Sequence, residues 1–310
     1  MNINFQKKKI IKIKLMILNC KYLILFFLIY NIAIKQITYN LFALIIKIGV
    51  IRMITFSNGN SYRLVYLDTN SINEISKNTR KMGKIFMERF CVDNFMFVTS
   101  CFNLFELSKT KGDTRKNIIK FFNIFPLAIM YTFPQLIEFE KSSSKFNQEM
   151  IMFATGPSPL FNFQFSDILN LIENDSNMDK ALKKMKQKFE KEIVCLRQKQ
   201  TRLNWNLKFK KNLLESMNDT FKFEENYFEI KELGKYKSLE VLAFIMNQFI
   251  YESNKTIEIN SVIDAYNCSI LPYVEFYITE KTVGSWLDKA KYKFKYLQNI
   301  EIIKIKDLME

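Results

Sequence analysis

The sequence contains no histidine. That absence removes the Ser-His-Asp triad, the Cys-His pair and every His-ligated zinc site. Cysteine is scarce and scattered. Cys20, Cys91, Cys101, Cys195 and Cys268 are odd in number and never form a CxxC pair, which speaks against a disulfide framework and for reduced thiols in a cytosol. Only 7 glycines and 5 prolines occur. No internal repeat, no low-complexity linker and no GxxxxGK[ST] phosphate loop is present. Acid–base or metal chemistry must therefore rest mainly on carboxylates.

Acidic residues are themselves missing from one region. Positions 1–52 carry nine Lys/Arg and no Asp or Glu, and the first acid in the chain is Asp68. Of the net +15, positions 53–310 therefore keep 37 basic against 31 acidic residues, or +6. Lys, Asn, Ile and Phe abound, as codon bias in an AT-rich genome would produce, so part of the charge carries no functional message. Three readings of the leader stand side by side. Residues 15–34 would serve as a membrane anchor, although Lys21 interrupts them and the uncharged run Tyr22–Ile34 is shorter than the roughly 20 residues a span needs. Lys7–Lys14 would serve as the charged start of a secretion signal, although no A-x-A site follows. Alternatively, the working protein begins at Met53. A membrane is a partner only in the first reading; the expected compartment is the cytoplasm, with membrane anchoring through residues 15–34 as the alternative.

At 48% apolar residues over 310 positions, the chain can bury a real core. From Met53 onward the pattern is mixed α/β. "RLVYL" (63–67) and "NFMFVTS" (94–100) read as buried strands, and "EFYIT" (275–279) and "IEIIKI" (300–305) as two more. Ser71–Phe90 reads as one helix, "CFNLFELSK" (101–109) as another, and "SVIDAYNCSI" (261–270) as a third. Strands separated by helices point to a mainly parallel sheet, whose sites form at the carboxyl ends of the strands.

Acids recur at these junctions. Asp68 ends the first strand, Glu106 lies in the helix after the second, Asp264 precedes the third strand and Glu280 follows it. Gathered at one sheet edge, four carboxylates would repel and need either protons or a cation. An oxygen-only donor set selects a hard ion such as Mg²⁺ or Mn²⁺. Each acid also has a plainer reading. Asp68 suits a helix N-cap, Glu106 a solvated helix face, and Asp264 a turn cap beside Asn260 and Ser261. Lys281, next to Glu280, either pairs with a neighbour or brings positive charge to a phosphate.

"VYLDTNSINEI", "FVTSCFNLFEL", "SVIDAYNCSILPYVEFYITEK" and "IEIIKIKDL" together resemble the PIN-domain family of metal-dependent ribonucleases, over about half the chain. The resemblance implies a three-layer α/β/α sandwich with a mainly parallel sheet. It also implies Mg²⁺ or Mn²⁺ held by Asp68, Glu106, Asp264 and Glu280 as catalytic residues, supported by Thr69, Asn70 and Thr279. The implied function is endonucleolytic hydrolysis of RNA, with an inhibitor protein and self-association as further partners. The alternative is a catalytically inactive PIN-like module that binds RNA or protein. Two features depart from the family. The last acid often stands two positions after the threonine, where this chain has Lys281, which leaves Glu280 one position early and makes Glu275 another candidate. The gap between Glu106 and Asp264 is also far longer than in compact members.

That gap sets the expected organisation: a leader over 1–52, a PIN-like core over 53–109 and 251–310, and a mainly helical insertion over 110–250. Within 180–215, twelve Lys/Arg face three acids, and Met185, Phe189, Ile193 and Leu196 recur at helical spacing. One reading is an ordinary helix with a solvated basic face. The other is an RNA-backbone contact through Lys183, Lys184, Lys188, Arg197 and Arg202, together with Lys281.

Overall fold

The computed structural model describes residues 53–55, 61–90, 94–142, 150–156, 164–173, 202–221, 230–252 and 259–308. The leader readings, and Lys183, Lys184, Lys188 and Arg197, lie outside the described residues. No helix among the described residues is long and apolar enough to cross a membrane.

The fold is α/β with a mixed, mostly parallel sheet. Its strands are β1 (Met53–Thr55), β2 (Ser61–Leu67), β3 (Phe95–Ser100), β4 (Leu127–Met130), β5 (Ile151–Thr155), β6 (Phe276–Thr279) and β7 (Glu301–Lys304), in the spatial order β5-β4-β3-β2-β6-β7, with β1 paired to β2 off this path. Only the β4–β5 pairing is antiparallel along that order. The central strands are continuous apolar runs because both faces are covered. Leu64 to Leu67 and all of β3 are buried. On one face Val65, Leu67, Phe97, Leu127, Ile129 and Ile278 share a core with helices α1 (Thr69–Lys77), α2 (Thr79–Phe90), α4 (Gly112–Phe122) and α6 (Phe165–Glu173). Phenylalanines dominate it, with Phe97 meeting Phe86 edge-on at 5.0 Å and Phe125 at 5.7 Å. Such pairs add about 1 kcal/mol each beyond the area they bury.

Two departures from the sequence reading are instructive. The single helix expected over Ser71–Phe90 starts earlier, at Thr69, and breaks at Asn78, whose φ of −149° and ψ of 70° end α1. Asn78 then caps α2, its Oδ1 accepting from Lys81 N at 3.1 Å. An asparagine inside an otherwise helical pattern offers the backbone this alternative. The second departure concerns 110–250. That segment supplies β4 and β5, both in the same sheet as the core strands. "LAIM" is a four-residue apolar run, too short for periodicity to separate strand from helix. Pro126 marks its start, and its carbonyl accepts from Phe97 N at 2.9 Å. The remainder of the segment, where described, is helical, including α5 (Phe133–Ser142), α7 (Arg202–Phe221) and α8 (Lys237–Glu252).

Glu140 on α5 is buried and joins three elements. Its Oε1 accepts from Ser238 N at 2.8 Å, at the start of α8, and from the Tyr273 hydroxyl in the 3-10 turn Cys268–Tyr273. Among the described residues its Oε2 has no hydrogen-bond partner. Burial raises its pKa from 4.5 to about 7, against the opposing pull of these donors. The folded chain thus keeps a proton that the unfolded chain releases. The resulting stability is complete below 4.5 and lost as pH rises through 7. Glu140→Gln is expected to flatten the pH dependence of the unfolding free energy across that window, as measured by urea titrations at several pH values. An unchanged slope would mean that Glu140 titrates normally.

Candidate functional site

β2 and β6 are adjacent, with Leu67 opposite Ile278. After β2 the chain moves to the β3 side, and after β6 to the β7 side. The crevice beyond their carboxyl ends is therefore a topological switch point, where open α/β sheets bind ligands. Asp68 sits there, with 5% of its surface exposed. Its backbone, at φ −78° and ψ 168°, forms the N-cap of α1, and Oδ1 accepts from Ser71 N at 2.6 Å. Its Oδ2 accepts from the Thr279 hydroxyl and from Glu280 N at 3.3 Å. The N-cap reading and the site reading of Asp68 are thus compatible in one geometry.

The next two residues reach the other acids. Thr69 Oγ1 donates to Glu106 Oε2 at 2.5 Å, across to α3 (Cys101–Ser108). Asn70 Nδ2 donates to Glu280 Oε2 at 3.3 Å, across to the N-cap of α10 (Lys281–Lys293). Asp264, on α9 (Ile259–Asn267), joins them through charge. Its carboxyl is pushed up to about 8, first by burial and then by Asp68, Glu106 and Glu280, all in the same direction. Burial also raises Asp68, opposed by its hydrogen bonds. Burial raises Glu106 as well, opposed by Thr69 and Lys109 and reinforced by Asp68. Asp264 therefore senses the other three acids at one edge of the sheet, and Glu106 senses Asp68.

Among the described residues, no group of three or more Asp, Glu, Cys or His forms a metal-binding set in this arrangement. The oxygens of Asp68 are turned to backbone and hydroxyl donors. The chemistry of the donor set nonetheless fits a hard divalent cation: it is anionic, all-oxygen and self-repelling, and an ion among the carboxylates would offset that repulsion.

Glu275 is not part of the group. It precedes β6 at the opposite edge of the sheet, where Arg63 grips it with Nε at 2.8 Å and Nη2 at 2.6 Å. Lys281 is exposed at the first position of α10, and Arg202 opens α7. The sequence reading missed Ser71, Ser100, Asn103, Lys109 and Asn267. Ser71 and Ser100 border the two strand ends. Asn103 and Asn267 stand three residues from Glu106 and Asp264, a helical spacing that would have put each on the acid's own face. No family model matches this chain, and neither does any curated protein or solved structure with which it was compared.

Proposed function

We propose that this chain is a PIN-like α/β/α nuclease that hydrolyses RNA phosphodiester bonds with Mg²⁺ or Mn²⁺. The observation that carries this reading is the set of contacts made by Asp68, Thr69 and Asn70. These three consecutive residues touch Thr279, Glu106 and Glu280, and so draw the first, second and last junction acids to one switch point. The strand–acid–helix order and the parallel core of the sheet support the PIN-like reading further. A bound divalent cation would supply a water of lowered pKa and offset charge on the scissile phosphate.

The chain's own residues do the rest. Asp68, Glu106, Asp264 and Glu280 would hold the cation, Asp264 giving up its proton to it. Thr279 and Thr69 orient two of these carboxylates by donating hydroxyl hydrogens. Exposed Lys281 stands beside Glu280, where a positive charge attracts the RNA backbone without reading sequence. The alternative, an inactive module that binds RNA or protein, is favoured by the displaced fourth acid, with Glu280 one position early and Lys281 where the family often has the acid. Cleavage of a labelled RNA in Mn²⁺, compared between parent and Glu106→Gln, separates the two. The nuclease reading expects cleavage that falls at least about tenfold in the variant. RNA binding without cleavage by the parent would establish the inactive module.

A further inference from the structure

Two buried asparagines stand directly behind the carboxylates. Asn103 and Asn267 are 1% and 3% exposed. Asn103 lies one helical turn before Glu106 on α3, and Asn267 one turn after Asp264 on α9. Asn267 Nδ2 donates to Asn103 Oδ1 at 2.6 Å. Asn103 Nδ2 donates to the carbonyl of Leu67 at 3.1 Å, the residue before Asp68, and also to the Tyr66 hydroxyl at 2.9 Å and Thr99 Oγ1 at 3.2 Å. Ser100 closes the ring. Its Oγ accepts from Asn103 N at 3.1 Å and donates to Asn267 Oδ1 at 2.7 Å.

A buried polar pair is costly unless its groups are satisfied, and packed apolar residues could fill the same space. This pair is satisfied, and its partners are not arbitrary. One amide contact ties α3 to α9, and the same Asn103 amide ties both to the end of β2. Those three elements carry Glu106, Asp264 and Asp68. We propose that Asn103 and Asn267 are positioning residues, which together set the separation of Glu106 and Asp264 and hold both helices in register with Asp68. The proposal rests on the carboxylate-site reading above. Loss of either amide strands the polar groups of the other and frees α3 to slide on α9, and displacement of about 1 Å is enough to spoil a site of this kind.

The test uses the full chain, with Mn²⁺ alone as the probe, titrated by calorimetry. Asn103→Ala and Asn267→Ala are each expected to weaken Mn²⁺ binding about 10- to 100-fold. The double variant should be no worse than the weaker single one, because the two residues act as a unit. Phe90→Leu serves as the control for general destabilisation. Phe90 packs on Phe95 and Phe276, at the opposite edge of the sheet, so its variant should lose stability and keep its affinity. Unchanged affinity in both Asn variants would overturn the proposal and leave the metal site standing. Should the parent itself bind no Mn²⁺, the metal reading fails, and crystal structures of the metal-free parent and Asn267→Ala decide the proposal separately. Parting of Glu106 from Asp264 in the variant would sustain it, and an unmoved pair would overturn it.

Discussion

Asp68→Asn is expected to lower Mn²⁺-dependent RNA cleavage about 10³-fold or more while the protein stays folded. The two halves of that expectation have different causes. Asparagine is as good an N-cap as aspartate, so its Oδ1 keeps the acceptor for Ser71 N, now at 2.6 Å. The Thr279 hydroxyl, which donates to Oδ2, can rotate to accept from an amide instead. Only the weak 3.3 Å contact from Glu280 N is turned from attraction to opposition. The charge, however, is gone. A factor of 10³ corresponds to about 4 kcal/mol, the scale of a lost charge–metal interaction at a reacting phosphate. Asp68→Ala would add the lost cap, worth about 1 kcal/mol. Its thermal midpoint should therefore fall below that of Asp68→Asn. Equal cleavage by parent and Asp68→Asn would reduce Asp68 to a cap.

Asp264→Asn should separate stability from function in opposite directions. The Asp264 carboxyl is raised from 3.8 to about 8, so the metal-free fold favours its protonated form. The stability linked to that proton is complete below 3.8 and lost as pH rises through 8. An asparagine carries no such penalty. The metal-free variant is expected to be more stable than the parent above pH 8, by up to about 6 kcal/mol at the conversion of about 1.36 kcal/mol per pKa unit. Near pH 4 the two should nearly coincide. Urea unfolding at pH 5, 7 and 9 reads this directly. The parent's Mn²⁺ affinity should meanwhile rise with pH toward 8, because the ion competes with the proton on Asp264. The variant should lose both the affinity and its pH dependence. A variant less stable than the parent at pH 9 would mean that Asp264 makes an unrecognised favourable contact as the anion.

The two predictions share one physical origin. Functional sites store unfavourable interactions that the rest of the fold must outweigh. Here the outweighing comes from the phenylalanine-rich core on one side of the sheet and from the saturated hydrogen bonds around Asp68. The stored term is the burial of the Asp264 carboxyl together with the repulsion it feels from Asp68, Glu106 and Glu280.

How much of this was legible in the sequence differs from residue to residue. The strand ends were legible because "RLVYL" and "FMFVTS" are continuous apolar runs that stop at polar residues, and that change of pattern survives folding. Asp68 could be read at its position because a strand end leaves little choice of place, whereas Thr69, Asn70 and Thr279 entered only through the family resemblance. The break at Asn78 was hidden, because the apolar positions on either side of it still follow a helical pattern. β4 and β5 were hidden by length, since four or five residues hold too little periodicity. The sequence reading placed Glu280 in the cluster and kept Glu275 as another candidate. Both flank β6, and only the register with β2 sends one to Arg63 and the other to Asp68. The pairing of Asn103 with Asn267 spans 164 positions. It depends on α3 and α9 meeting behind β2, which no local pattern encodes.

The most direct measurement is calorimetric titration of Mn²⁺ into the full chain at pH 7.5, beside Asp68→Asn and Asp264→Asn. If the four acids form one cation site, the parent binds Mn²⁺, both variants lose that binding, and binding in the parent releases a proton, seen as a heat that changes with the ionisation enthalpy of the buffer. No binding by the parent, or undiminished binding in both variants, would contradict a cation site at the switch point of the sheet.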